Sequence, residues 1–313
     1  MLINSIMKIV LMLFRCLVLC VALSISIFIT WVYAGDKKQK QDDSLKTEIV
    51  WGKDQAQMCL IPSGTFAMGT MESEINELVK QFADYEAEKA WFKSEVPRHT
   101  VEIAAFYMDK AEVTNAQYKV FINQTGYRTP QYWFDDNYNS RDLPVVGVSW
   151  YDAMQYASWS EKRLPTEAEW EYATRGGMAN QMYPWGNKIT PQMANYGEKV
   201  GKATVAGTYP SNGYGLYDLA GNVWEWCLDS YNAGFYKTSP RKDPFAGGDM
   251  AHVIKNFSQV DKNQVRVIRG GSWQSDPGPL RVASRGNYFP SFTLRNCGFR
   301  CVKPVNEIKR NSN

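Results

Sequence analysis

Residues 163–171 read RLPTEAEWE, a stretch that joins a helix start to several charged side chains and one tryptophan. Thr166 followed by Glu169 is a capping box, in which the Thr hydroxyl accepts a backbone N–H and the Glu side chain reaches back to the N-cap. We therefore predict a helix that begins after Thr166 and ends near Gly176 and Gly177, since glycine favours a helix C-terminus.

Three further helices are predicted upstream of this stretch. A second capping box begins at Thr114 and predicts a helix that ends near Gly126. Another helix should run from Ser149 to about Ser160, because Ser is a favourable N-cap and the acidic residue three positions on suits the positive helix end. Apolar residues recur at helical spacing over residues 72–92, which predicts an amphipathic helix, interpreted as an insertion packed on the domain.

Downstream of Gly177 the helical periodicity gives way to Gly, Asn, Pro and aromatic residues. This half is predicted to consist of loops and short strands, held together by aromatic rings and buried ions. Residues 229–266 are a polar insertion for which the sequence predicts no structure. Residues 58–69, with short apolar runs around Pro and Gly, predict a strand, a turn and a second strand.

The composition is that of a compact, aromatic-rich globule. The 313 residues include 11 Trp, 18 Tyr and 14 Phe, and only 21% are charged, which argues against a disordered or coiled-coil chain. The 35 Lys and Arg nearly balance the 32 Asp and Glu. Because nucleic-acid binding needs a clustered basic surface, no nucleic-acid partner is expected.

The N-terminus has the features of an export signal. Lys8 and Arg15 precede residues 16–34, which carry no charge, and Ala34 ends a small-residue cleavage pattern. Residues 1–34 are therefore predicted to be a signal peptide or, since the run is long, an N-terminal membrane anchor, and these residues would be the only membrane contact. The protein is expected to be exported to the periplasm or the extracellular space. The predicted division is 1–34 signal or anchor, 35–48 polar linker, 49–304 folded domain and 305–313 polar tail.

Four cysteines lie outside this leader: Cys59, Cys227, Cys297 and Cys301. An oxidising compartment permits disulfides but does not require them. If Cys297 and Cys301 share one strand, they lie roughly 13 Å apart, which is too far for a bridge. A Cys59–Cys301 bridge is conceivable if the first and last strands pair.

Six short motifs occur in a fixed order along the chain: LPV and VSW (within residues 143–150), RLPTEAEWE (163–171), GNVWEW (221–226), RGGSW (269–273) and GFR (298–300). Together they resemble the sulfatase-modifying-factor, or formylglycine-generating-enzyme, superfamily. The resemblance spans roughly residues 59–302. It implies a single α+β domain with a variant of the C-type lectin fold, rich in loops and with few regular elements.

The resemblance also indicates which chemistry is missing. The founding enzymes oxidise a sulfatase cysteine to formylglycine with copper(I) held by two cysteines, since that soft ion requires thiolates. Pro277 and Val282 occupy the matching positions here, and no cysteine lies between Cys227 and Cys297. No copper site is therefore expected.

An iron site is not expected either. The iron-dependent sulfoxide synthases of hercynine metabolism, a second branch of the superfamily, need three histidines, whereas this chain contains only His99 and His252. The remaining relatives implied by the resemblance include a periplasmic factor of pyoverdine maturation, an accessory protein beside nitrite reductases, and ligand-binding proteins of diversity-generating retroelements.

Three functional hypotheses follow. The first is a maturation or accessory factor that acts on a protein, peptide or peptide-derived substrate. The second is a non-catalytic C-type-lectin-like module that binds a ligand, which could be a small molecule. The third is a sulfatase-modifying oxidoreductase that uses an unrecognised site. No catalytic residue can be assigned from the sequence.

The best candidate for a metal site is a loop that resembles a calcium loop of the family. Asp218 and Glu225 would supply carboxylate oxygens, and Gly221 and Val223 would supply backbone carbonyls. Calcium suits such mixed oxygen ligands, and its role would be structural. The alternative is that both carboxylates accept backbone N–H bonds without an ion.

A ligand groove is predicted around the positions of the missing copper cysteines. An Arg pair beside an aromatic ring can hold a carboxylate or phenolic ligand, whereas the alternative is that these arginines tie loops together through carbonyls. The predicted groove residues are Trp273, Gln274, Asp276, Arg281, Arg285 and Asn287.

Overall fold

The structure is a computed structural model that describes residues 45–311. All the elements given below belong to the unit Lys46–Asn313. The predicted signal or anchor segment and most of the predicted linker lie outside the described residues. Among the helices of residues 45–311, none is long and apolar enough to cross a membrane.

The strands of the described chain form two four-stranded sheets and one two-stranded sheet. In chain order they are β1 (Glu48–Val50), β2 (Gln57–Ile61), β3 (Gly64–Met68), β4 (His99–Ile103), β5 (Phe106–Asp109), β6 (Trp224–Ser230), β7 (Arg266–Arg269), β8 (Gly286–Tyr288), β9 (Cys297–Gly298) and β10 (Val302–Pro304). The first sheet has the order β1-β2-β5-β10 and the other has the order β8-β7-β6-β9, while β3 pairs with β4. Every pairing is antiparallel except that of β6 with β9.

This strand order excludes the conceivable Cys59–Cys301 bridge, because β5 lies between β2 and β10. Cys59 and Val302 both pair with Met108, from opposite sides. Residues two strands apart are separated by roughly 9–10 Å, beyond the Cα separation that a disulfide allows. Accordingly, the four cysteines of the described region are free and buried.

The helices of the described chain are short. In chain order they are α1 (Ile75–Gln81), α2 (Lys89–Phe92), α3 (Asn115–Thr125), α4 (Trp150–Trp159), α5 (Glu167–Arg175), α6 (Met250–Lys255) and α7 (Val305–Asn311). The three predictions from capping signals are confirmed: Thr114, Ser149 and Thr166 cap α3, α4 and α5, each with a complete capping box. Local signals were sufficient because each cap uses side chains within three residues of one another.

The predicted single helix over residues 72–92 is wrong. The segment is broken into α1 and α2, with 3-10 turns at Glu72–Glu74, Ala83–Tyr85 and Lys93–Glu95. Helix α1 ends at Gln81 because Phe82 leaves the helical conformation, with φ of -107° and ψ of 23°, and the 3-10 turn that follows ends at Glu86, which is left-handed with φ of 56°. The segment still buries an apolar face, consisting of Ile75, Leu78, Phe82, Ala87 and Phe92.

The polar insertion at residues 229–266 is structured. It leaves the end of β6, forms α6 and two short 3-10 turns, and returns as β7. Val253 of α6 is buried in one of the main hydrophobic clusters. These elements could not be predicted from the sequence because the insertion contains few apolar residues at a regular spacing.

Helix α5 lies at the centre of the domain, and all nine of its residues are buried. Trp170 is fully buried, and the guanidinium of Arg269 lies 5.1 Å from its ring centre. The helix therefore places Glu167, Glu169 and Glu171 in the interior, where a carboxylate is costly unless it is paired. Glu169 is paired with Arg163 through two contacts of 2.6 Å.

Asp229 holds the N-terminus of α5. Its Oδ2 accepts the backbone N–H of Glu167 at 2.8 Å and its Oδ1 accepts that of Ala246 at 2.9 Å. Burial, followed by the charge of Glu167, raises the pKa of Asp229 from 3.8 to about 7. The carboxyl is thus expected to take up a proton near neutral pH.

We predict that the Asp229 carboxyl carbon titrates with a midpoint near 7 in a 13C NMR experiment, with the signal assigned by its loss in Asp229→Asn. Because the folded-state pKa lies above the unfolded one, the contribution of Asp229 to the free energy of unfolding is full below about pH 4 and is lost as the pH rises to about 7. A midpoint below 5 would contradict the prediction.

Candidate functional site

The positions that hold copper in the oxidase relatives are packed here. Pro277 and Val282 are both buried. The hydroxyl of Tyr183 donates to the carbonyl of Pro277 at 3.1 Å, and the N–H of Val282 donates to the carbonyl of Met182 at 2.8 Å. Neither side chain can bind a metal, and the absence of a copper site stays a prediction.

The cysteines of the described region do not replace that pair. Burial raises the pKa of Cys59 to about 11 and raises those of Cys227, Cys297 and Cys301 well above their usual value. Thiols of this kind stay protonated at neutral pH and are poor nucleophiles and poor metal ligands.

Arg281, one of the predicted groove residues, forms a buried ion pair. Its Nη2 and Nη1 contact the carboxylate of Glu95 at 2.6 and 3.0 Å. The guanidinium lies 4.6 Å from the ring centre of Phe92, and Thr70 also donates to Glu95. This pair fastens the segment containing α1 and α2 to the body of the domain.

Arg285 is also used internally. Its Nε and Nη2 each contact Glu167 at 2.7 Å, and its Nη1 donates to the carbonyl of Ser94 at 2.8 Å. The ring of Tyr236 lies below the guanidinium at 4.2 Å. Arg285 therefore connects loops partly through a carbonyl, as in the alternative, whereas Arg281 connects them through the carboxylate of Glu95.

None of the other four predicted groove residues lines the pocket to which Arg281 belongs. Trp273 is buried, while Gln274 is half-buried and donates to Glu198 at 3.2 Å. Asp276 and Asn287 are exposed. Ligand binding by these residues stays a prediction, and Arg281 is the one among the six that lines the pocket described next.

Sequence reasoning missed a pocket of about 340 Å³ beside Arg281, which we call the Arg281 pocket. Its walls come from α1, from residues 178–187 and from the chain around Arg281. Met182 lies in its lining, and since the carbonyl of Met182 bonds to the N–H of Val282, the pocket adjoins the position of a missing copper cysteine. The lining groups that can form hydrogen bonds include Gln81, Asn180, Gln181, Asn187, Arg98 and Arg281.

Two polar atoms at the Arg281 pocket are buried without a hydrogen-bond partner in the described structure: Nε of Arg281 and Oε1 of Gln181. One is a donor and the other is an acceptor. Leaving such groups unpaired costs free energy, and because both atoms are buried, a side chain would have to move before a ligand or water in the pocket could pair with them. No sequence signal marks this pair because the two residues are distant along the chain.

Behind the pocket, α5 and β7 share a network of buried ions. Arg269 contacts Glu171 at 2.7 Å and Glu167 at 3.2 Å. Glu171 also contacts Arg175 at 2.6 Å and accepts the N–H of Gly69 at 2.9 Å. The network joins the floor of the pocket to the central helix.

The two carboxylates of the predicted calcium loop differ: Glu225 is paired with an arginine, whereas Asp218 is not. Arg300 contacts both oxygens of Glu225, at 2.6 and 2.8 Å, and Trp170 donates to the same carboxylate at 2.8 Å. Oδ2 of Asp218 accepts the N–H of Gly207 at 2.5 Å, whereas its Oδ1 is buried and has no partner within the described chain. Burial raises the pKa of Asp218 to about 6.

The residues present fit a calcium ion. No backbone hydrogen bond of residues 45–311 ends on the carbonyl oxygen of Gly221 or Val223, so both oxygens are available to a cation. Oε1 of Glu225 accepts a single bond and retains a lone pair. Within the same residues, no group of three or more His, Cys, Asp and Glu side chains is arranged to hold a metal unaided, so carbonyls or water would have to complete the site. Calcium binding stays a prediction.

Glycine at position 221 is required by the turn itself. Its φ is +91°, and a Cβ there would lie 2.3 Å from the carbonyl oxygen of Asn195. A side chain at this position would push the loop away from Asn195, which also accepts the N–H of Asn222 at 2.9 Å.

Comparison with known proteins identifies the family. Residues 48–305 match the Sulfatase-modifying factor enzyme 1-like domain, which covers most of the chain, so the protein belongs to this family. The predicted resemblance and the α+β, C-type-lectin-like fold are thereby confirmed.

The similar proteins differ in their names. Formylglycine-generating enzyme of Bos taurus is 32% identical over 307 residues, which cover 78% of this chain and 74% of that enzyme. Serine/threonine-protein kinase pkn1 of Chlamydia pneumoniae is 35% identical over 268 residues, covering 80% of this chain, which spans only 38% of that protein. Among solved structures, PvdO from Pseudomonas aeruginosa has a TM-score of 0.66 and 25% identity, covering 83% of this chain and 98% of PvdO.

Proposed function

We propose that this protein is an exported maturation or accessory factor that binds a protein, peptide or peptide-derived substrate in the Arg281 pocket, and that it does not oxidise cysteine through copper. The observation that carries the proposal is that packed apolar residues stand at the copper position of the oxidase relatives and that a pocket lies next to them. Pro277 and Val282 are packed where the oxidase relatives hold copper, and an open pocket with unpaired polar groups adjoins them.

The chemistry of the pocket suits a peptide. Side-chain amides such as Gln81, Asn180 and Asn187 both donate and accept hydrogen bonds, which matches the backbone groups of a bound peptide. Nε of Arg281 adds an unpaired donor, and Oε1 of Gln181 adds an unpaired acceptor. The volume lies in the range of small-ligand pockets and would hold about one or two residues of an extended chain.

Export and calcium are parts of the same proposal. Residues 1–34 would direct the chain out of the cytoplasm, into a compartment where calcium is more abundant. Asp218 and Glu225, with the carbonyls of Gly221 and Val223, would bind one calcium ion that cross-links the loops around β6. In this role calcium stabilises the domain and takes no part in chemistry.

The test uses a random heptapeptide phage library as the probe, panned on the purified protein. We expect the wild-type protein to enrich a defined set of peptides and Gln81→Trp, which narrows the exposed rim of the pocket at the end of α1, to lose that enrichment by at least about tenfold. Gln124→Trp is the matched control, because Gln124 is also exposed near the end of a helix but lies in α3, away from the pocket.

A second readout tests the absence of oxidase chemistry. The wild-type protein is supplied with copper(I) and a synthetic peptide that spans the active-site cysteine of a sulfatase, and mass spectrometry then measures aldehyde formation. We expect none. Aldehyde formation, or peptide enrichment that is equal in Gln81→Trp, would overturn the proposal. A failure to enrich any peptide would instead favour a non-catalytic module for small ligands.

A further inference from the structure

A buried glutamate outside the predicted calcium loop has too few partners. Glu112 is 1% exposed. Its Oε1 accepts the side-chain N–H of Asn222 at 3.0 Å, and its Oε2 has no hydrogen-bond partner within residues 45–311. A carboxylate in this position has lost its water without gaining the contacts that normally offset that loss.

Glu112 lies against the predicted calcium loop. The N–H of Tyr217 donates to the carbonyl of Lys110 at 2.8 Å, which places residues 110–112 alongside residues 217–218. Arg300 donates to the carbonyls of the same two residues, at 2.8 Å for Tyr217 and 3.1 Å for Lys110. Asn222, a member of the loop, completes the link through its bond to Glu112.

The charges around this point do not balance. Arg300 is the cation shared by the cluster, and its Nε and Nη2 are taken by Glu225. Its remaining contacts are backbone carbonyls, including that of Asp109 at 3.2 Å. Glu112 and Asp218 therefore bring two further carboxylates that no side-chain cation in the described region contacts.

We propose that Glu112 and Asp218 bind a divalent cation of calcium type between their unpaired oxygens, Oε2 and Oδ1, so that Glu112 is an additional ligand of the calcium site. The inference rests on the proposed calcium binding, to which it adds a residue from the segment after β5. Calcium prefers several oxygen ligands of mixed kind, which two carboxylates and the carbonyls of Gly221 and Val223 supply. Glu112 also lines a pocket of about 630 Å³, together with Gly207 and Tyr217.

Glu225, the glutamate paired with Arg300, is less free to approach an ion than Glu112 or Asp218. Both oxygens of Glu225 accept hydrogen bonds from Arg300, and Trp170 donates to the same carboxylate. Glu112 and Asp218, in contrast, each have one carboxylate oxygen without a hydrogen-bond partner in the described chain, and this oxygen can bind the ion. The cation would then connect three separate parts of the chain: residues 110–112, the loop at 218–223 and the start of β6.

The experiment compares thermal unfolding and calcium binding by calorimetry in the full chain and in two variants, Glu112→Gln and Asp218→Asn. We expect excess CaCl2 to raise the Tm of the wild-type protein above its value in EDTA, and we expect each variant to bind calcium at least about tenfold more weakly. In EDTA, Glu112→Gln should be at least as stable as the wild-type protein, because Gln can still accept from Asn222 and brings no buried charge. Glu77→Gln, an exposed carboxylate on α1, is the control and should bind calcium as the wild-type protein does.

The outcomes separate the two ideas. If the wild-type protein binds no calcium, the proposed calcium site fails and this inference fails with it. If the wild-type protein binds calcium and Glu112→Gln binds it equally well, the calcium site stands and the role of Glu112 is refuted. Loss of binding in Glu112→Gln together with a large loss of stability in EDTA would indicate a purely structural role and would also refute the inference.

Discussion

Replacement of Glu167 by Gln is expected to lower the free energy of unfolding by about 3–5 kcal/mol, the usual cost of breaking a buried ion pair from one side. Glu167 contacts Arg269 at 3.2 Å and Arg285 through two bonds of 2.7 Å. Gln has one acceptor oxygen, so its amide N–H group would face a guanidinium N–H group. Arg269 and Arg285 would then lose a carboxylate that both of them contact. The hydrogen bond from Arg285 to the carbonyl of Ser94 would weaken as well.

Urea unfolding followed by tryptophan fluorescence measures this loss. The control is Glu102→Gln, because Glu102 forms an equally short pair with Arg241, at 2.7 Å, on the surface. That exposed pair should contribute less than about 1 kcal/mol. A loss below about 1.5 kcal/mol in Glu167→Gln would mean that water or another group compensates and that the network is not the main support of α5.

Arg300→Met is expected to cost about 4 kcal/mol or more at pH 7 in EDTA, because it leaves a buried carboxylate cluster without its cation. Glu225 would lose its cation, beside Glu112 and Asp218, which contact no side-chain cation within residues 45–311. The carbonyl oxygens of Tyr217 and Lys110 would also lose a donor.

The pH dependence gives this prediction a sign. Burial raises the pKa of Glu112 and of Asp218, and the charge of Arg300 lowers it. Without the guanidinium these two carboxyls would hold their protons to higher pH, so the loss of stability should be smaller at pH 5 than at pH 7. Denaturant unfolding of the variant and the wild-type protein at the two values tests this, with Arg241→Met as the exposed control. An equal loss at both pH values would indicate that lost packing, and not charge, sets the cost.

The parts of the fold that the sequence predicted well are those fixed by neighbouring residues. The caps at Thr114, Ser149 and Thr166 depend on side chains three positions away, so the bounds of α3, α4 and α5 follow from local chemistry. The break in the segment over residues 72–92 depends instead on the backbone of Glu86 and on packing against the body of the domain. Periodicity alone could not show it.

The site was harder to predict for the same reason. Arg281 looked like a ligand-binding residue because its charge was visible, whereas its partner Glu95 lies 186 residues earlier in the chain. Glu112 was overlooked because it belongs to no calcium-like motif and comes close to Asp218 only in the folded chain. The Arg281 pocket is built from four separate parts of the chain, so no single stretch of sequence marks it.

The burial of the four thiols determines when they can react with a reagent or an oxidant. Cys59, Cys227 and Cys297 lie within different strands, and Cys301 directly precedes β10, so a reagent could reach them only if the sheets separated. While residues 45–311 stay folded, a thiol reagent or an oxidant is therefore expected to leave these four side chains unmodified, and they become reactive only when the strands that hold them separate.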